Sequence, residues 1–331
     1  MRARTTSTVA STATTPRQIV AALLLSLSVV LSLAAAVPAQ ADDTTFPASR
    51  LERGDPPPSG DFPRMPSRCY EPDNRTLKDA PCAITRYGAA RPKLVVWGDS
   101  HAWMYLPALE REARRQRVNL TLVVFGSCPP SLPLPRSRGF GRVQCEKHNT
   151  ATLGYIRRQD RKRDDVSLLI GGFWSGYRQA YALQQRADRN GTDSGLTPYQ
   201  QQMSILAVES SPKLFTRLGQ LRLDIDLIGQ AATVPTDPAF CLAGRDPYQC
   251  DLPRNLALDD EVGNRRWINR NLRAQLVGRP RLIDTTPAYC NASTCFGRVD
   301  GVNTFYDDIH LGAALTSTLT GYFAPVFNDV T

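Results

Sequence analysis

"KLVVWGDSHAWM" (Lys93–Met104) decides the fold. Its first five residues form a short apolar run rich in β-branched side chains, bounded by Pro92 and Gly98, and predict a buried strand. The next stretch, "HAWMYLPALEREARRQ", repeats apolar residues at helical spacing, with Leu106, Leu109 and Ala113 near one face. Ser100 therefore falls at a strand-to-helix turn, beside the free N–H groups of a helix start. A hydroxyl there suits a nucleophile whose oxyanion needs backbone donors. The simpler alternative is that Ser100 only caps the helix.

Outward from this unit the pattern repeats. Strands are predicted at Asn119–Gly126, Val166–Gly172, Leu223–Gln230 and Arg281–Thr286, and helices at about 101–117, 146–162, 198–219 and 257–276. Alternation of this kind, with strands apolar on both faces, predicts an α/β three-layer sandwich whose central, mainly parallel sheet is covered by helices. Right-handed crossovers would bring the strand C-termini, and with them Ser100, Gly126 and Gly172, to one edge.

The chain has 331 residues. Arg2, Arg4 and Arg17 precede an apolar stretch from Ile19 to Val37, and Ala39-Gln40-Ala41 follows with small residues. Residues 1–41 thus read as a secretory signal, with a retained N-terminal anchor as the minor alternative. Residues 42–68, rich in Pro, Gly and Asp, read as a flexible lead, and 69–331 as one catalytic-size domain. The signal carries three of the arginines and no acid, so the remainder keeps +6 of the formal +9 charge. The densest basic cluster, Arg157–Arg163, reads as a solvated helix face, and without interleaved aromatics behind an export signal it argues against nucleic acid.

Eight cysteines follow the signal, and an even number in an exported chain reads as disulfides. They fall into four local couples, Cys69–Cys82, Cys128–Cys145, Cys241–Cys250 and Cys290–Cys295, each of which would staple one loop. Zinc is the rival, but no CxxC or HxxxH spacing occurs and there are three histidines, so neither metal nor cofactor is expected.

A serine nucleophile needs a base. His101 adjoins Ser100 and would point elsewhere. His148 lies in a Cys-flanked stretch read as a loop and is expected to be a surface or structural histidine. His310 sits in "FYDDIHLGAALTSTLTGYF", three residues after Asp307. If that loop turns helically, Asp307 can hold the imidazole N–H and fix its tautomer.

Gly98-Asp99-Ser100-His101 near the start of the domain, with Asp307-x-x-His310-Leu311 near its end, resembles the SGNH (GDSL-type) hydrolase superfamily. More narrowly, the chain resembles the extracytoplasmic SGNH domain fused to membrane O-acyltransferases that modify cell-surface polysaccharides. "SCPP" (Ser127–Pro130), "GGFWSGY" after the third strand, "IGQAATVP" on the fourth and the close cysteine pair before the terminal Asp-His stretch support that likeness. The resemblance implies a flavodoxin-like hydrolase fold, with Ser100 as nucleophile, His310 as base and Asp307 as its orienting partner. It implies oxyanion donors at the Ser100 N–H and at Gly126 or Ser127. The superfamily's third block usually supplies an Asn; here it reads Gly171-Gly172-Phe173-Trp174, which leaves backbone donors alone or gives Trp174 a part in walling the acyl pocket. The fused relatives carry a many-helix membrane domain that this chain lacks, which implies a separate membrane acyl donor or action alone on secreted substrates. The expected function is a secreted serine esterase or O-acyltransferase acting on acyl, chiefly acetyl, esters of a carbohydrate or cell-wall glycan. The alternatives are a non-catalytic carbohydrate-binding module and a lipid-directed esterase, the latter without an apolar lid segment.

Overall fold

The computed structural model describes residues 60–71, 77–135, 140–162, 165–235 and 247–328. The expected export signal at residues 1–41 and Cys241 lie outside these residues.

Strands β1 (Cys82–Ala83), β2 (Lys93–Gly98), β3 (Asn119–Val124), β4 (Val166–Gly171), β5 (Asp224–Ile228) and β6 (Leu282–Ile283) form one sheet in the order β1-β3-β2-β4-β5-β6. All neighbours are parallel except β1, which runs antiparallel to β3. The α/β expectation thus holds. β2, β3 and β4 are buried almost throughout, as parallel strands covered on both faces must be. Successive residues point to opposite faces. Leu94, Val96, Leu120 and Leu122 pack in one core with Leu106 and Leu109 of α2 (Leu106–Gln116) and with Phe323 and Phe327 of the last helix. Val95, Trp97, Leu168 and Ile170 pack in the other, with Ile156, Met203 and Phe215.

β2 lies at the centre, and the chain passes from it to β3 on one side and then to β4 on the other. Such a reversal leaves a crevice at the strand C-termini, where α/β proteins bind ligands. In register, Gly98 stands opposite both Val124 and Gly171, so the three loops that follow leave the sheet at one level. The approach requires glycine: a Cβ on Gly98 would fall 2.2 Å from the Gly171 carbonyl oxygen.

Several local expectations change. The helix expected at 101–117 is split into α1 (Ser100–Trp103) and α2, because Pro107 has no N–H to continue one helix and suits the first turn of another. Phe140–Lys162 (α3) carries His148, which is therefore on a helix and not in a loop; His148 is buried, with Nδ1 2.6 Å from Asp79 Oδ1. Arg157, Arg158, Arg161 and Lys162 are exposed along α3. Trp174–Asn190 (α4) is a full helix that was not among the helices expected from the sequence. Gly176 within it is needed for packing, since a Cβ there would meet the Phe173 ring at 2.1 Å. The helix expected at 198–219 contains a π turn at Leu206–Ser210 just before Pro212, and Ser210 and Ser211 there donate to Leu132 O and Pro130 O. Finally, the described end of the lead, from Gly60 to Arg68, is packed onto the domain: Phe62 and Met65 are buried in the core.

Three of the expected disulfides are present, Cys69–Cys82, Cys128–Cys145 and Cys290–Cys295. Cys250 is also disulfide-bonded.

Candidate active site

The turn after β2 is built on Asp99, not on Ser100. Asp99 is the N-cap of α1 and its Oδ1 accepts the His101 N–H at 2.8 Å. Its Oδ2 accepts the Phe173 N–H at 2.9 Å and the Tyr177 hydroxyl at 2.7 Å, tying the loop after β2 to the one after β4. Burial pushes the Asp99 carboxyl above its usual range, against the pull of these three donors. With capping done by its neighbour, the Ser100 hydroxyl is free for another partner. That partner is His310, whose Nε2 lies 2.7 Å from Ser100 Oγ across 210 residues of sequence.

His310 reaches this place through an Asx turn, not the helical turn expected from the spacing. Asp307 Oδ1 accepts the backbone N–H of Ile309 at 2.9 Å and of His310 at 2.8 Å, curling the loop so that both Asp307 oxygens stand 3.0 Å from His310 Nδ1. The loop is closed by the Tyr306 N–H donating to His310 O. Burial alone would raise the Asp307 carboxyl. The bond and charge of His310 and the two backbone donors outweigh it and hold the group below its ordinary value. An ionised Asp307 keeps the proton on Nδ1, which leaves Nε2 to accept from the Ser100 hydroxyl.

Gly126 and Ser127 follow β3 on the same edge. The Phe125 N–H donates to Gly98 O at 3.1 Å, which pins this loop beside the Ser100 turn. The Cys128–Cys145 bridge and Asn149, whose Nδ2 donates to Pro129 O and Ser131 Oγ, hold it from α3. Ser127 adopts φ 55°, a left-handed conformation uncommon for serine and frequent at functional loops. The backbone N–H groups of Ser100, Gly126 and Ser127 have no acceptor among the described residues.

Trp174 is buried with its indole against Phe215 and Trp267, in the core behind the sheet. The third-block side chain that faces the site's histidines is instead Phe173. Its ring stacks on His101 at 4.3 Å with an interplanar angle of 8°. His101 lies 5.1 Å from the His310 ring, and burial together with that neighbour holds it well below its ordinary value, so it stays neutral. Asp99, Phe173 and Tyr177 were not singled out by sequence reading. The signals were a carboxylate inside the Gly-Asp-Ser-His turn and an aromatic pair at helical spacing, 173 and 177. Among the described residues no group of acids, cysteines and histidines could hold a metal ion.

A parallel α/β sheet with a serine, a histidine and an aspartate hydrogen-bonded in series at its switch point defines a hydrolase-like α/β domain. The chain belongs to the family described as "SGNH domain (fused to AT3 domains)", which it matches over residues 68–325. Among solved structures it is similar to the periplasmic domain of a lipopolysaccharide acetyltransferase of Salmonella ser. Paratyphi A, at 15% identity and a TM-score of 0.44, covering 73% of this chain and 85% of that one. No curated protein matches the chain.

Proposed function

We propose that the protein is an extracytoplasmic serine enzyme that moves an acyl group, chiefly acetyl, from an ester to water or to a hydroxyl of a carbohydrate such as a cell-wall glycan. The observation that carries this is the Ser100 Oγ–His310 Nε2–Asp307 series, with contacts of 2.7 and 3.0 Å. Ser100 Oγ attacks the acyl carbonyl and its proton passes to His310 Nε2. The oxyanion is met by the N–H groups of Ser100 and of Gly126 or Ser127, each such donor contributing about 3–4 kcal/mol to the transition state. His310 returns the proton to the leaving alcohol, and the acyl group stays on Ser100. Water or a sugar hydroxyl then gives its proton to His310 and takes the acyl group, and Ser100 recovers the proton. A separate membrane protein would supply the acyl group. Three internal disulfides support an oxidising, extracytoplasmic compartment.

The test incubates purified protein with an acetyl ester, with and without an oligosaccharide acceptor, and follows products by mass spectrometry. Ser100→Ala is expected to abolish turnover and labelling by a fluorophosphonate while remaining folded. Wild-type-like turnover by that variant would overturn the serine mechanism. A wild-type protein that neither labels nor turns over would be a carbohydrate-binding domain on this scaffold.

A further inference from the structure

The family match begins at residue 68, yet the segment before it crosses the site. The Phe62 ring lies 5.1 Å from the His310 imidazole, 5.0 Å from the Trp103 ring and 5.5 Å from the Tyr306 ring. The segment is fastened on both sides of this contact. Asp61 O accepts the Ala313 N–H at 2.7 Å, and Asp61 Oδ1 accepts the Ala314 N–H at 3.0 Å. Gly312 makes room for it, since a Cβ there would fall 2.3 Å from Asp61 Oδ2. Downstream, Arg68 donates to Ala83 O and Ile84 O, and Cys69 is bridged to Cys82.

Two of the rings around Phe62 carry polar atoms that this packing leaves unpaired. Trp103 and Tyr306 are 4% and 8% exposed, and neither Trp103 Nε1 nor Tyr306 Oη has a hydrogen-bond partner among the described residues. A buried unpaired group costs on the order of 1–3 kcal/mol, so a cluster kept only for packing would be better served by Phe or Leu. Its position has a chemical meaning. His310 Nε2 must exchange a proton with the oxygen of the sugar hydroxyl as well as with Ser100. A group flush against the imidazole therefore borders the alcohol side of the ester. Aromatic faces pack on the C–H faces of a pyranose, while an indole N–H and a phenol engage its hydroxyls.

Resting on the acyl-transfer reading above, we propose that Trp103 and Tyr306 form the subsite for the sugar ring of the ester or acceptor, and that Phe62, a six-membered ring on a strap outside the family region, occupies that subsite until the sugar displaces it. The strap then lowers apparent sugar affinity by the fraction of molecules in which the subsite is closed.

The experiment measures equilibrium binding of unacetylated hexose and N-acetylhexosamine trisaccharides by tryptophan fluorescence and calorimetry, in the Ser100→Ala background so that turnover plays no part. Phe62→Ala is expected to tighten binding about tenfold if the closed form dominates by that factor. Adding Tyr306→Phe is expected to reverse the gain. In the active protein, Phe62→Ala should lower KM for an acetylated trisaccharide by a larger factor than it changes KM for 4-nitrophenyl acetate, a split that general loosening would not produce. Asp61→Ala, which releases only the side-chain tie, should move affinity in the same direction and serves if Phe62→Ala does not fold. Unchanged or weaker binding in both strap variants, absence of binding across the trisaccharide set, or an equal change on both esters would overturn the proposal. Loss of all esterase activity with tightened binding intact would instead overturn the catalytic reading alone.

Discussion

Tyr177→Phe tests the buried network that shapes the site. The substitution removes one hydroxyl from the core and leaves the ring in place. Tyr177 is 1% exposed and Asp99 fully buried, with 2.7 Å between hydroxyl and carboxylate. A hydrogen bond to a charged group contributes about 1.5–3 kcal/mol, and here no water can take over the lost donor. For a domain of this size that corresponds to a fall in Tm of about 3–8 °C. The pH dependence is more diagnostic than the size. The Tyr177 bond lowers the Asp99 carboxyl, whereas burial raises it to a net position above its ordinary value. The lost bond stabilised the ionised form. The variant's deficit should therefore be full where Asp99 is ionised and should shrink as pH falls through the folded-state value, because protonated Asp99 loses less. Thermal unfolding followed by circular dichroism at about pH 8 and about pH 5, with disulfides intact, reads both quantities. A fall of less than about 1 °C at the higher pH, or a deficit that grows in acid, would refute the role given to this hydroxyl.

Two further outcomes are expected. Asp307→Asn should lower kcat on 4-nitrophenyl acetate about 10²–10⁴-fold, and a variant as fast as the parent would contradict the orienting role given to this carboxylate, which, against its burial, the His310 bond and two backbone donors hold below its ordinary value. Replacing both Cys128 and Cys145 by Ala removes a bridge across a 17-residue separation, which should cost about 3 kcal/mol in denaturant unfolding, and it should slow turnover more than it weakens sugar binding, since it frees the loop that carries Gly126 and Ser127. Equal stability of the variant and the parent would remove the bridge from that role.

What the sequence made legible was whatever is fixed by near neighbours. A buried parallel strand declares itself by its own apolar run, and Gly-Asp-Ser-His and Asp-x-x-His each confine their chemistry to one turn. The distant pairing of Ser100 with His310 came from the serine's need for a base and from the resemblance of the two motifs to the SGNH superfamily, since no local pattern joins positions 210 residues apart. What could not be read depends on contacts made only after folding. Gly176 looks like a helix breaker until Phe173 is seen to need the space of its missing Cβ. Cys82–Ala83 is too short to show a period, and it is a strand because β3 offers an open edge. The same reasoning separates the two aspartates of the site. Both sit two or three residues from a histidine in sequence, so spacing alone favours Asp307 only by analogy with a triad. Burial and partners divide them: Asp99 spends its oxygens on two loops and a phenol, and Asp307 keeps both within reach of an imidazole nitrogen. Phe62 is the extreme case. In a Pro- and Gly-rich lead an isolated aromatic residue carries no periodic signal, and the meaning of Phe62 comes wholly from the ring of His310 at the other end of the chain. A composition that predicts a flexible segment gives the entropy of the free chain. It does not give the burial of one ring and the two backbone N–H groups, of Ala313 and Ala314, that donate to Asp61, which is what decides whether such a segment stays free or lies down across a site.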